Sequence, residues 1–248
     1  MAFEPKNHTL QDKKQRELIE RTFAESNLQT IEKLECFPRF TTRRAFSKFF
    51  ARYEIFKKIL DVPGAIVECG VLNGAGLFAH AHFSTMFEPY NYSRTIVGFD
   101  TFAGFPKVHD KDLIYGQSSH LQSGRLKGAT LEEVLASVEA FDTNRPLSHI
   151  PKIDVVQGDL SVTAPKYIVE HPHLVVSLLY LDVDLYEPTL HSLKTFVPRM
   201  PKGAIIAFDE LNSRDFPGET QAALEFFGMQ NLRLHRFPFE PLISYCEI

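Results

Sequence analysis

The residues best suited to chemistry are four acids that close two apolar runs. Asp182 and Asp184 follow Leu178-Leu179-Tyr180-Leu181, and Asp209 and Glu210 follow Ala204-Ile205-Ile206-Ala207-Phe208. Runs this short, bounded by Pro and Gly, suit strands buried on both faces of a parallel sheet, and 186–200 between them carries helical spacing. Parallel strands end on one edge of the sheet, where open α/β folds bind ligands. Four carboxylates gathered there repel unless a cation sits among them or some take up protons, and hard oxygen donors favour Mg²⁺, Ca²⁺ or Mn²⁺. A single acid per strand end is accounted for as the cap of the next helix. Two acids at each of two adjacent ends fit that reading poorly, so a metal site is expected.

A second candidate site is the turn Glu68-Cys69-Gly70-Val71-Leu72-Asn73-Gly74-Ala75-Gly76 between a strand at 65–69 and a helix at 77–87. Glycines there let the backbone approach a ligand at a helix start. The spacing is not the GxGxxG of a dinucleotide site, and Glu68 would repel a pyrophosphate. An acid suits an ammonium group, which S-adenosylmethionine carries on its methionine part. Asp100, ending the next strand at 95–99, is placed to accept from two ribose hydroxyls. Asp159, after a third strand at 152–157, is open to two readings, acceptor from an adenine amine or N-cap of the following helix.

These segments need a frame. Helices are expected at 10–36 and 42–60, then 131–141, 163–170 and 217–228, and a fourth strand begins at 174. Strands alternating with helices imply a doubly wound α/β sheet, and segments 231–237 and 242–247 suggest an antiparallel edge. Residues 1–60 read as a helical cover or oligomerisation segment, and 61–248 as the site-bearing domain. Within the long connection 101–130, residues 102–125 suggest a lid, with Phe102, Phe105 and His109 near the site. The other histidines read as structural or solvated.

Composition sets bounds. The 248 residues, 44% hydrophobic, suffice for one large domain, and a net charge of −4 without long runs argues against nucleic acid as the main partner. Three widely spaced cysteines form no CxxC and suggest neither a disulfide framework nor zinc, which fits a reducing cytoplasm. No membrane span or signal peptide is expected. The aromatic N-terminal helices make a homo-oligomer the expectation.

The ordered strings PGAIVECGVLNGAG, VGFDTFAGFP, QGDLSVTAPKY, LYLDVDLYEPT and AFDE are similar to the macrocin-type, metal-dependent sugar O-methyltransferases of natural-product biosynthesis. The resemblance covers about 40–225 and implies a seven-stranded class I methyltransferase sheet. It implies Mg²⁺ on Asp182, Asp209 and Glu210, with Asp184 as general base. It further implies S-adenosylmethionine held by Glu68, Gly70, Asn73, Gly74, Gly76 and Asp100. Members carry Asp-Asp where this chain has Asp209-Glu210, and Glu reaches further, so Glu210 would bind through water. The expected reaction is methyl transfer to a hydroxyl of a deoxysugar, nucleotide-linked or on a natural product. In that scheme Mg²⁺ chelates two neighbouring hydroxyls and Asp184 takes the proton.

Three rivals stand beside it. A catechol-like or other diol would meet the same metal chemistry, and a non-enzymatic cofactor- or metal-binding module would use the same acids structurally. The DVD string also suits an aspartate-nucleophile phosphatase, but about two dozen residues between DVD and AFDE leave no room for that chemistry's other elements.

Overall fold

The computed structural model describes residues 9–116 and 119–248. Its five parallel strands are β1 (Ala65–Cys69), β2 (Ile96–Asp100), β3 (Ile153–Gln157), β4 (Val176–Leu181) and β5 (Ile205–Phe208). Two more follow, β6 (His235–Phe237) and β7 (Glu240–Glu247), and the sheet order is β3-β2-β1-β4-β5-β7-β6. β7 runs antiparallel to both β5 and β6, the edge pair expected from the last segments. β1, β4 and β5 are buried at every residue, as strands covered on both faces must be.

Helices α1 (Leu10–Glu25), α2 (Thr30–Glu35) and α3 (Arg43–Lys58) come before the sheet. The single helix expected over 10–36 is broken, because Ser26 and Gln29 both turn extended and Gln29 starts α2. Neither α1 nor α2 buries a residue. α3 differs: Ala51, Ile55 and Phe56 belong to the same core as the sheet. α3 thus packs with the sheet, whereas α1 meets the rest of the chain through Phe23 against Phe40, ring centroids 5.1 Å apart.

The remaining helices are α4 (Ala75–Phe87), α5 (Leu131–Asp142), α6 (Leu160–Glu170), α7 (Tyr186–Phe196) and α8 (Gly218–Phe227). α6 starts earlier than expected because Asp159 caps it, and α7 ends earlier, tightening into a 3₁₀ turn at Val197–Arg199. Chain order runs outward from β1 to β3, then returns to β4 and β5. Right-handed crossovers accordingly put α4 and α5 on one face and α6 and α7 on the other. The reversal between β1 and β4 is the switch point at which such sheets open a ligand crevice. Among the described residues no helix is long and apolar enough to cross a membrane.

Candidate active site

Strand pairing brings the predicted residues together. The parallel ladder continues past the strand ends through Gly70 N to Phe99 O (2.8 Å), Asp182 N to Cys69 O (2.8 Å) and Asp209 N to Leu181 O (2.9 Å). Gly70, Asp100, Asp182 and Asp209 therefore lie in adjacent positions along one edge. There a cavity of about 280 Å³ is lined by Glu68, Gly70, Asn73, Gly76, Asp100, Asp182, Asp184, Asp209 and Glu210. Gly74 and Asp159 do not line it. Asp159 is the cap of α6, its Oδ1 accepting from Ser161 N at 2.8 Å and Ser161 Oγ at 2.7 Å.

The glycines have local causes. At Gly70, φ is 94° and a Cβ would stand 2.0 Å from the Asp182 carbonyl oxygen, so only glycine lets β1 and β4 close at the switch point. A Cβ on Gly76 would stand 2.0 Å from Glu68 Oε1. Glu68 is thereby tucked under the first turn of α4, 1% exposed. Its Oε2 has no hydrogen-bond partner, and His80 Nδ1 lies 3.4 Å away without bonding to it. Glu68 lines the cavity, and a buried carboxylate short of a donor suits an incoming ammonium. The Asp100 carboxylate accepts from Val71 N and Leu72 N (both 2.8 Å) and Phe102 N (2.7 Å), so it braces the glycine turn while lining the cavity.

The acid edge holds residues that sequence reasoning missed. Lys48 and Arg52, one turn apart on α3, both line the cavity. Lys48 Nζ donates to Asp209 Oδ2, Arg52 Nη2 donates to Asp182 Oδ2 at 3.1 Å, and the Tyr180 hydroxyl donates to Asp209 Oδ1 at 2.9 Å. Burial works to lower the pKa of Lys48, but the Asp209 and Asp182 carboxylates outweigh it and hold the amine protonated. Burial and then the Asp209 charge push Asp182 up to about 7, against the pull of Lys48 and Arg52. Asp209 stays low because the same two cations overcome its own burial. A fifth acid, Glu219 on α8, accepts from Glu210 N at 3.0 Å; burial and then Asp184 raise it well above the usual range. The repulsion expected among the acids is thus relieved by two cations of the chain, Lys48 and Arg52.

This bears on the metal. Among the described residues no three His, Cys, Asp or Glu side chains form a group able to hold an ion. The chemistry of the donors suits Mg²⁺, but their arrangement does not, since Lys48 and Arg52 are seated on two of the three implied ligands. The spacing of Arg44, Lys48 and Arg52 at every fourth residue was the available signal. What it could not tell was that this face turns toward Asp209.

Several described residues of the segment expected to be a lid pack against the rest of the chain. Phe105 and Leu121 pack with Leu185 and Phe216, and Asp112 Oδ1 accepts from Tyr186 N at 2.7 Å. Phe105 lines the cavity, Phe102 is buried in the main core, and His109 packs on the Tyr186 ring, centroids 4.8 Å apart.

A seven-stranded sheet with this order, a glycine turn after β1 and an acid edge at β4 and β5 define a class I methyltransferase. The chain belongs to the macrocin O-methyltransferase (TylF) family, whose model matches residues 51–233. Among solved structures it is similar to CalS11, a calicheamicin methyltransferase, with 32% identity over 97% of this chain and 94% of that one, TM-score 0.91. Apo CalS11, described as a TDP-rhamnose 3'-O-methyltransferase of calicheamicin biosynthesis, matches with 29% identity over 97% and 96%, TM-score 0.84. The O-methyltransferase NovP shares the fold, with 18% identity over 84% and 81% and a TM-score of 0.62. No curated protein matches the sequence.

Proposed function

We propose that the protein transfers the methyl group of S-adenosylmethionine to a hydroxyl of a nucleotide-linked deoxysugar. The observation that carries this reading is one cavity lined both by Glu68, a buried acid under a glycine turn, and by the carboxylates at the ends of β4 and β5. The sugar acceptor is supported by the relative described as a TDP-rhamnose methyltransferase. Glu68 would take the cofactor's amino group, the turn at Gly70, Asn73, Gly74 and Gly76 its backbone contacts, and Asp100 the ribose. Asp159, next to the cavity-lining Gly158, would meet the adenine amine from the rim while its Oδ1 caps α6. When bound, S-adenosylmethionine supplies a methyl carbon made electrophilic by its sulfonium.

The chain supplies the rest. A sugar hydroxyl holds its proton about as tightly as water, so a positioned base is needed, and Asp184 beside the cavity fills that role. Holding the hydroxyl in line with the methyl group contributes further, by converting an encounter into an intramolecular step. Mg²⁺ on Asp182, Asp209 and Glu210, implied by the family resemblance, does not fit the observed pairing, and no step is assigned to it.

Calorimetric titration with S-adenosylmethionine tests the reading, followed by methyl transfer to nucleotide-linked deoxysugars. Binding on the order of micromolar, with transfer, is expected. A protein that binds no cofactor would remove the basis of the reading.

The same proposal makes the protein a homo-oligomer acting in the cytoplasm. α1 and α2 expose Leu10, Ile31 and Leu34 and contain no fully buried residue, so a second copy is the surface they suit. All three cysteines are free thiols, as a reducing compartment favours. Sedimentation should give a dimer or larger that becomes monomeric when residues 1–35 are removed; a monomeric full chain would refute it.

A further inference from the structure

Two of the three acids that would ligate a divalent metal are already engaged by cations of this chain. Both oxygens of Asp209 accept from protein donors, Lys48 Nζ on Oδ2 and the Tyr180 hydroxyl on Oδ1, and Asp182 Oδ2 accepts from Arg52. Mg²⁺ would need those oxygens at ~2.0–2.1 Å in near-octahedral array. An ammonium on the same oxygen excludes it, by space and by like-charge repulsion. Arg52 has little freedom to withdraw: its side chain is 8% exposed, and its guanidinium lies over the Tyr180 ring, 4.7 Å from the centroid.

We propose that Lys48 and Arg52 replace the divalent metal in this protein, so that methyl transfer needs no metal ion and Lys48 is the positioning residue that keeps Asp209 closed to one. The inference rests on the methyl-transfer reading above. In the step, the acceptor O–H bond breaks and its proton goes to Asp184. The oxygen forms a bond to the methyl carbon as the carbon–sulfur bond breaks, and that electron pair stays on sulfur. The products are a methyl ether, neutral S-adenosylhomocysteine and protonated Asp184, which returns its proton to solvent. Lys48, lining the same cavity, offsets the negative charge that develops on the attacking oxygen, which is the task a metal ion has elsewhere.

Two readouts test this on the full-length chain. In an electron paramagnetic resonance titration with Mn²⁺ alone, the wild type should leave the free-ion signal undiminished. Lys48→Ala, which uncovers Asp209 beside Asp182 and Glu210, should take up about one Mn²⁺ per chain. Lys48→Arg keeps the charge and should take up none, with near-normal folding. Mn²⁺ uptake by the wild type, or none by a folded Lys48→Ala, overturns the proposal. In the second readout, methyl transfer should survive EDTA. Transfer lost to EDTA and restored by Mg²⁺ overturns the metal-free mechanism while leaving the methyltransferase reading intact. A wild type without transfer in either condition counts against that reading instead, and the Mn²⁺ titration still decides the role of Lys48.

Discussion

Arg94→Ala should lose about 3–5 kcal/mol of stability, the range for breaking a buried ion pair by removing one partner. Arg94 is 2% exposed, and its guanidinium clamps four separate segments. Nε and Nη2 donate to Glu88 at 2.6 and 2.9 Å, and Nη1 donates to Gly64 O at 3.0 Å and Ser177 Oγ at 2.7 Å. Nη2 also donates to Ile59 O and Val62 O at 3.0 and 3.1 Å. The end of α3, the entry to β1, the start of β4 and the α4–β2 connection are thus tied at the sheet edge opposite the cavity. Truncation leaves the part-buried Glu88 carboxylate without its cation and removes a donor from the carbonyls of Ile59, Val62 and Gly64 around a void. Of these carbonyls, Ile59 and Gly64 keep Val62 N and Ser177 Oγ. Since whole domains are stable by only about 5–15 kcal/mol, the variant should accumulate poorly and unfold at a much lower urea concentration. Arg94→Lys should recover only part of the loss, because a point charge cannot reach a planar fan of acceptors. A urea midpoint for Arg94→Ala within about 1 kcal/mol of wild type, at unchanged slope, would show that the clamp is not needed.

The same contrast between local pattern and distant pairing separates what the sequence revealed from what it hid. β1, β4 and β5 were legible because a strand buried on both faces must be a short apolar run, and the acids at 182, 184, 209 and 210 were legible because they interrupt such runs. Their convergence followed from topology alone. The break at 26–29 was missed because Ser26 and Gln29 lack the Pro or Gly that marks a helix end. Lys48 was missed for a stronger reason. Its partner Asp209 is 161 residues away, and nothing local distinguishes an amine in an ion pair from one on a solvated face. Arg52 and Glu219 share that history; both sit among ordinary helical residues, and only packing brings them to the acid edge. Crowded acids call for compensating positive charge, and in this chain Lys48 and Arg52 of α3 bring it to Asp209 and Asp182.

On the proposed mechanism, Asp184→Asn should lower kcat by about 10²–10⁴, the usual worth of a positioned base. It should leave cofactor affinity and stability nearly unchanged. The second expectation follows from the backbone: Asp184 sits at φ 62°, in the left-handed region, in the bend between β4 and α7. Asn is one of the few residues that shares the tolerance of Asp for that conformation, so the substitution removes the base without disturbing the turn. Asp184→Ala forfeits that tolerance and is the poorer test, since strain in the bend would move Asp182 as well. If chemistry limits the rate, kcat and kcat/KM should fall together, the mark of an interaction made in the transition state. A loss confined to KM would make Asp184 a binder of the acceptor, and a kcat within about tenfold of wild type would pass the role of base to another carboxylate of the edge. Of those, Asp182 has the stronger claim. Burial and the Asp209 charge raise its pKa to about 7, which suits a group that takes up a proton near neutrality, whereas Lys48 and Arg52 hold Asp209 too acidic to keep one.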